Sequence, residues 1–207
     1  MAFVVVYDAC VLYPAPVRDL LLRIANTGIV RARWSEAILD EVFRNLAEQR
    51  PDLRTDALER TRSLMIKSVP DCLITGYEHL IAGLDLPDPD DSHVLAAAIR
   101  ANAQAIVTYN LRDFPDHILA RYDIEAKHPD EFVLDSLDLA PGAVVQCVNA
   151  QAGALRRPPY SSQTCSIRCG GRSSFVRLLG CVSYLVPPSP ANRCLEQGSD
   201  LAVLVWG

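Results

Sequence analysis

The sequence has no long hydrophobic run. Half of its 207 residues are hydrophobic, yet the longest apolar stretches, "FVVVY" and "HVLAAAI", fall far short of the roughly 20 residues a spanning helix needs. No membrane segment is expected. The chain opens with no basic segment ahead of an apolar core and no small-residue cleavage site, which argues against a secretory signal and makes the cytoplasm the expected location. Excess positive charge is also missing. Twenty Lys and Arg against 25 Asp and Glu leave a net charge of −5, so the protein does not coat nucleic acid by bulk electrostatics; an enzyme that meets phosphodiesters through bound cations remains compatible. Finally, the seven cysteines include no C-x2-C pair of the kind that builds zinc knuckles. Cys10, Cys72 and Cys147 are isolated and read as small buried hydrophobes.

Charge is scarce in one place. Residues 1–160 hold 23 acidic and 16 basic residues, whereas residues 161–207 hold 2 and 4, together with four of the cysteines. This contrast predicts one domain over 1–160, ending near "RRPPYSS", and an atypical tail over 161–207. That tail is rich in Cys, Ser and Pro and has no sustained period of 2 or 3.6. It reads as disordered chain or as a segment translated in a different frame. No internal repeat precedes it.

What is present is an alternation of strands and helices. "AFVVVY" is a β-branched run, as in a strand buried on both faces. "PVRDLLLRIANTG" places Val17, Leu20, Leu21 and Ile24 at helical spacing before a Gly28 stop. "IVRARW" reads as a second strand, and Ser35 as the N-cap of a helix with Ile38, Leu39, Val42, Phe43 and Leu46 on one face. Residues 51–69 read as a third helix, "CLITG" as a short strand and "YEHLIAGL" as a short helix. Asp90 or Asp91 is expected to cap a helix reaching about Ala101. "QAIVTYN" reads as a strand, "DHILARY" as a short helix, "DIEA" as an edge strand, and Pro129 as the start of a further helix. Such alternation implies an α/β fold with a mostly parallel sheet, which binds its ligands at the carboxyl ends of the strands.

Against that frame the acids cluster. Asp8 ends the first strand, Glu41 lies on the second helix, Asp85, Asp88, Asp90 and Asp91 crowd the proline loop, and Asp113 follows the fourth strand. Converging carboxylates repel unless something positive sits among them. Mg²⁺ or Mn²⁺ suits that place, because both prefer carboxylate oxygens and retained water. The chemistry that follows is metal-assisted hydrolysis. The plainer reading is a solvated loop whose aspartate caps a helix. His93 reads as packing or solvated, Trp34 as capping the core, and Arg112 as either a phosphate contact or a surface charge.

Four segments in this order, "VVYDACVLYP", "RWSEAILDEVFRNL", "LPDPDDSHVLAAAI" and "AIVTYNLRDFP", resemble the PIN-domain nucleases, and among them the bacterial VapC-like toxin components. The resemblance runs from about residue 3 to about residue 160. It implies a three-layer α/β/α sandwich and a Mg²⁺- or Mn²⁺-dependent endoribonuclease, the toxin of a toxin–antitoxin pair. It also implies an RNA substrate, a cognate small antitoxin and a homodimer. Carried over by position, Asp8, Glu41, Asp91 and Asp113 are the catalytic acids. Asp8, Asp91 and Asp113 are metal ligands, with Asp90 competing for the place of Asp91, while Asn110, Thr108 and Arg112 face the substrate. The alternative is a non-catalytic PIN-like module that binds RNA or protein, but that would require a missing acid. A phosphotransfer domain is disfavoured because the D-x-D-x-T start of one such class is absent: Asp8 is followed by Ala9, Cys10 and Val11.

Overall fold

The computed structural model of the chain describes residues 3–154. Residues 161–207, and with them the expected tail and the boundary near residue 160, lie outside the described residues. Nine helices and five strands are seen among the described residues. The strands are β1 (Phe3–Tyr7), β2 (Val30–Ser35), β3 (Leu73–Ile74), β4 (Ala105–Val107) and β5 (Glu125–Lys127). They form one sheet in the order β3-β2-β1-β4-β5, and every pairing is parallel. β1 is therefore the central strand. Its consecutive residues Val5, Val6 and Tyr7 are all fully buried. Neighbouring residues of a strand point to opposite faces, so both faces of β1 are covered. The expected three-layer α/β/α architecture follows, with helices on both sides of the sheet.

Local chemistry explains most of the helices. Asp8 precedes α1 (Ala9–Leu12), a single turn whose last carbonyls are held by Arg18: its Nη1 donates to Leu12 O at 2.7 Å and to Tyr13 O at 3.1 Å. Arg18 lies on α2 (Ala15–Asn26), which opens with Pro16 in its first turn and gives way to Gly28 at φ +79°. A left-handed residue just past a helix suits glycine, which has no Cβ to clash. Ser35 caps α3 (Glu36–Gln49) as expected, accepting from Ile38 N at 3.2 Å. Ile38, Leu39, Val42 and Phe43 of α3 are buried. α4 (Thr55–Ser68) and the short α5 (Glu78–Ile81) follow. α6 (Ser92–Arg100) is apolar nearly all round, with Val94 to Ala98 at 0 % exposure. Its run of alanines lets the helix lie close to β1, β2 and β4.

Several boundaries differ from expectation. β4 stops at Val107, because Thr108 turns its hydroxyl inward and accepts Asn110 N at 2.9 Å, which ends the extended run. "DHILARY" splits into α7 (Asp116–Leu119) and a 3-10 turn over Ala120–Tyr122. α8 (Pro129–Leu139) starts at Pro129 as expected. α9 (Pro141–Ala154) is not announced by the sequence, since "PGAVVQCVNAQAGA" has no charges and includes poor helix formers. Trp34 is fully buried and stacks on Tyr7 at 6.3 Å. The sheet lies within Met1–Val144, one compact unit of the chain; the rest of α9 falls in the other.

The Ser35 cap supplies a test of how α3 is held. Ser35→Ala leaves Ile38 N without its acceptor in a fully buried position and should cost about 1 kcal/mol. A chemical-denaturation midpoint that falls at unchanged slope would show this. An unmoved midpoint would mean that the cap is not holding α3.

Candidate active site

The acids meet because of which elements touch. Asp8 sits at the junction of the central strand and α1, α1 packs on α3, and α3 packs on α6. α3 carries Glu41 and α6 begins directly after Asp91. Asp113 lies in the loop after β4, where its N–H donates to Asn110 O at 3.0 Å. All of these positions lie within Met1–Val144.

Asp8 is only 3 % exposed. A buried carboxylate needs donors, and three are present. Ala9 N donates to Oδ1 at 2.6 Å, Thr108 Oγ1 donates to Oδ2 at 2.7 Å, and the Cys10 thiol donates to Oδ2 at 3.0 Å. Thr108 is fully buried, so its hydroxyl is committed to Asp8. Cys10 is more than a small hydrophobe. Besides its bond to Asp8, its sulfur lies 3.3 Å from Thr108 Oγ1 and accepts Tyr109 N at 3.2 Å. Burial, with the charge of Asp8 next, pushes the thiol far above its ordinary value. The sequence signal for Cys10 was its place two residues after Asp8, which a reading of cysteine as isolated and apolar passes over.

The proline loop resolves into distinct roles. The side chain of Asp88 accepts Asp90 N at 3.0 Å and so caps the 3-10 turn Pro89–Asp91. Asp91 occupies the N-cap position of α6, but its side chain makes no capping bond there. The expectation that Asp90 or Asp91 caps this helix through its side chain is thus corrected: the preceding turn carries the cap on Asp88. Asp90 is exposed, while Asp91 is half-buried. Burial pushes the carboxyl of Asp91 up to about 7, and the negative charges of Asp8, Asp113, Asp88 and Glu41 add to the shift in that order. Glu41 is also raised, by burial first and then by Asp8; His93 and Arg44 act in the opposite sense.

His93 is tied to this group. Its Nδ1 lies 2.7 Å from the Asp90 carbonyl, which can only accept, so Nδ1 carries the proton. Nε2 then lies 3.8 Å from Glu41 Oε2, with no hydrogen-bond partner among the described residues. Asn110 and Arg112 are exposed on the loop that follows Thr108. Among the described residues, no three His, Cys, Asp or Glu side chains form a ready-made metal cage. The acids are coupled through space and are not drawn into one closed shell.

The parallel sheet carries Asp8 and Asp113 past the carboxyl ends of β1 and β4, and the chain belongs to the PIN domain family, which matches residues 4–112. Residues 129–164 match the VapC50 C-terminal domain family. Over 98 residues the chain is 44 % identical to a Mycobacterium tuberculosis protein named "Putative ribonuclease VapC50"; the match covers 45 % of this chain and 57 % of that protein. The chain thus spans little more than half the length of that relative. No solved structure matches it.

The shift at Asp91 has a measurable sign. Its folded-state value of about 7 lies above the ordinary 3.8, so between about pH 4 and 7 the folded protein keeps a proton that the unfolded chain has released. That stabilisation is complete below about pH 4 and is lost as pH rises through 7. In EDTA, Asp91→Asn should match the parent in denaturation midpoint at pH 4 and exceed it at pH 8. Equal midpoints at both pH values would remove Asp91 from the coupled group.

Proposed function

We propose that this protein is a metal-dependent endoribonuclease that hydrolyses RNA phosphodiester bonds, and that it is the toxin of a toxin–antitoxin pair. The observation that carries this reading is the accumulation of carboxylates around Asp91, where the negative charges of four other acids reinforce the effect of burial. Such an arrangement makes chemical sense with a divalent cation in it. The donors are all hard oxygens and carry uncompensated charge. They suit Mg²⁺ or Mn²⁺, which bind through one or two carboxylates and keep several waters, so that no closed protein cage is needed. Asp8, Asp91 and Asp113 are the side chains that would hold it, with Asp90 as the competing position and Glu41 beside them. When bound, such a cation activates water near neutral pH and offsets the charge that builds on the phosphoryl oxygens during displacement.

The chain's own residues have separable tasks in this reading. Asp8 is oriented by its three donors, and Thr108 serves by holding it. Glu41, half-buried and raised, is placed to accept or orient a water proton. Asn110 and Arg112, exposed on the loop after Thr108, face the incoming phosphodiester. The match to a protein named a VapC ribonuclease supports RNA as substrate and a small cognate antitoxin as partner. A homodimer and a cytoplasmic location belong to the same reading. Among the described residues no helix is long and apolar enough to cross a membrane.

Cleavage of a single-stranded RNA by the full chain, with Mn²⁺ or with EDTA, tests the proposal. Cleavage should require the metal and should fall by orders of magnitude in Asp8→Asn and Asp91→Asn. Asp85→Asn and Asp88→Asn should stay within a few-fold of the parent, since Asn preserves the cap at Asp88. A dead Asp90→Asn beside an active Asp91→Asn would move the ligand by one residue. A parent that binds RNA but never cleaves it would favour the non-catalytic binding module.

A further inference from the structure

The thiol of Cys10 sits where the turn after β1 meets the chain after β4, and the role of a small apolar filler does not account for its contacts. Counting hydrogens explains what it does. The Asp8 carboxylate can only accept, so both groups bonded to Oδ2 must donate: Thr108 Oγ1 at 2.7 Å and Cys10 Sγ at 3.0 Å. A carboxylate oxygen has two in-plane lone pairs, and these two donors occupy both of them on Oδ2. Thr108 has then spent its only proton, and its oxygen accepts Asn110 N at 2.9 Å. Cys10 has likewise spent its proton, and its sulfur accepts Tyr109 N at 3.2 Å. Of the two oxygens near the thiol, Asp8 Oδ2 at 3.0 Å is both nearer and charged, against Thr108 Oγ1 at 3.3 Å, so the directions run from the chain after β4, through the thiol and the hydroxyl, into Asp8. Among the described residues Oδ1 receives only Ala9 N, at 2.6 Å, and keeps a lone pair in reserve.

We propose that Cys10 is a positioning residue for Asp8: its thiol pins Oδ2 to the backbone that follows β4, so that Asp8 presents Oδ1 outward to the reacting centre. The inference rests on the nuclease reading for what Asp8 then does, but the bond from thiol to carboxylate stands without it. With Thr108 alone, Oδ2 would be held by a single hydrogen bond, beside the bond from Ala9 N to Oδ1. The Cys10 thiol, only two residues along the chain from Asp8, adds a second hold on Oδ2, and it is itself fixed because its sulfur accepts Tyr109 N. Residues that orient a ligating group from behind commonly change metal affinity by about 10- to 100-fold when removed.

Two measurements on the full chain test this. The first uses metal-free protein and the infrared S–H stretch. The parent-minus-Cys10→Ser difference spectrum isolates the Cys10 band, which should be shifted to lower frequency by its carboxylate acceptor and should move on Asp8→Asn. An S–H band that does not respond to Asp8→Asn overturns the proposal, whether or not the protein proves to be a nuclease. The second is Mn²⁺ titration by calorimetry, with thermal melting as the control for folding. Cys10→Ala should weaken Mn²⁺ binding about tenfold or more, while Cys10→Ser, which keeps a donor, should recover to within about threefold of the parent. Unchanged affinity in a folded Cys10→Ala, or no recovery in a folded Cys10→Ser, overturns it. If Cys10→Ala fails to fold, the serine variant and the infrared band still decide. A parent that binds no Mn²⁺ but shows the responsive band would sink the metal reading and leave the positioning bond in place.

Discussion

A buried carboxylate at the end of the central strand is the constraint around which the rest of this protein is arranged. Asp8 is almost fully removed from water, and an unpaired charge in such a place is prohibitively costly. Among the described residues, no basic side chain is bonded to Asp8. The protein supplies three neutral donors from two segments: Ala9 N and the Cys10 thiol from the turn after β1, and the Thr108 hydroxyl from the chain after β4. The parallel pairing of β1 with β4 is what makes this geometry available, because it brings the carboxyl ends of both strands to the same edge.

The second constraint is repulsion. α3 and α6 are both anchored by apolar packing, one through Ile38, Leu39, Val42 and Phe43 and the other through its valine, leucine and alanines. That packing holds Glu41 and Asp91 near Asp8 despite their like charge. Burial raises Asp91 and Glu41 first, and the like charge of Asp8 raises them further. Hydrophobic burial here sustains an electrostatically unfavourable arrangement, which is a frequent property of functional sites. His93 and Arg44 relieve Glu41 in part, while Asp91 is pushed up to about 7.

Much was legible from the residues. The β-branched run of β1, the helical spacing of α2 and α3, the Ser35 cap and the proline start of α8 each rest on short-range chemistry, and each is found where local pattern places it. The four-segment resemblance is matched by the PIN domain family over residues 4–112. Where the reading went astray, the cause lies in side chains answering to distant partners. β4 ends early because Thr108 turns toward Asp8, one hundred positions away in the chain. The helix cap in the proline loop belongs to Asp88, because Asp91 is taken up in the surroundings of Asp8, Asp113 and Glu41.

The alternation of elements, the order of the acidic segments and the family they resemble are all legible in the chain, since they depend on periodicity, capping and composition over a few residues at a time. What each polar side chain is bonded to depends instead on the folded arrangement. It made Cys10 a donor to Asp8, made Thr108 a buried support, and separated the half-buried Asp91 from the exposed Asp90 beside it. Neighbours in sequence differ in this way because burial and hydrogen bonding are set by which strands and helices close over them, and no local pattern carries that information.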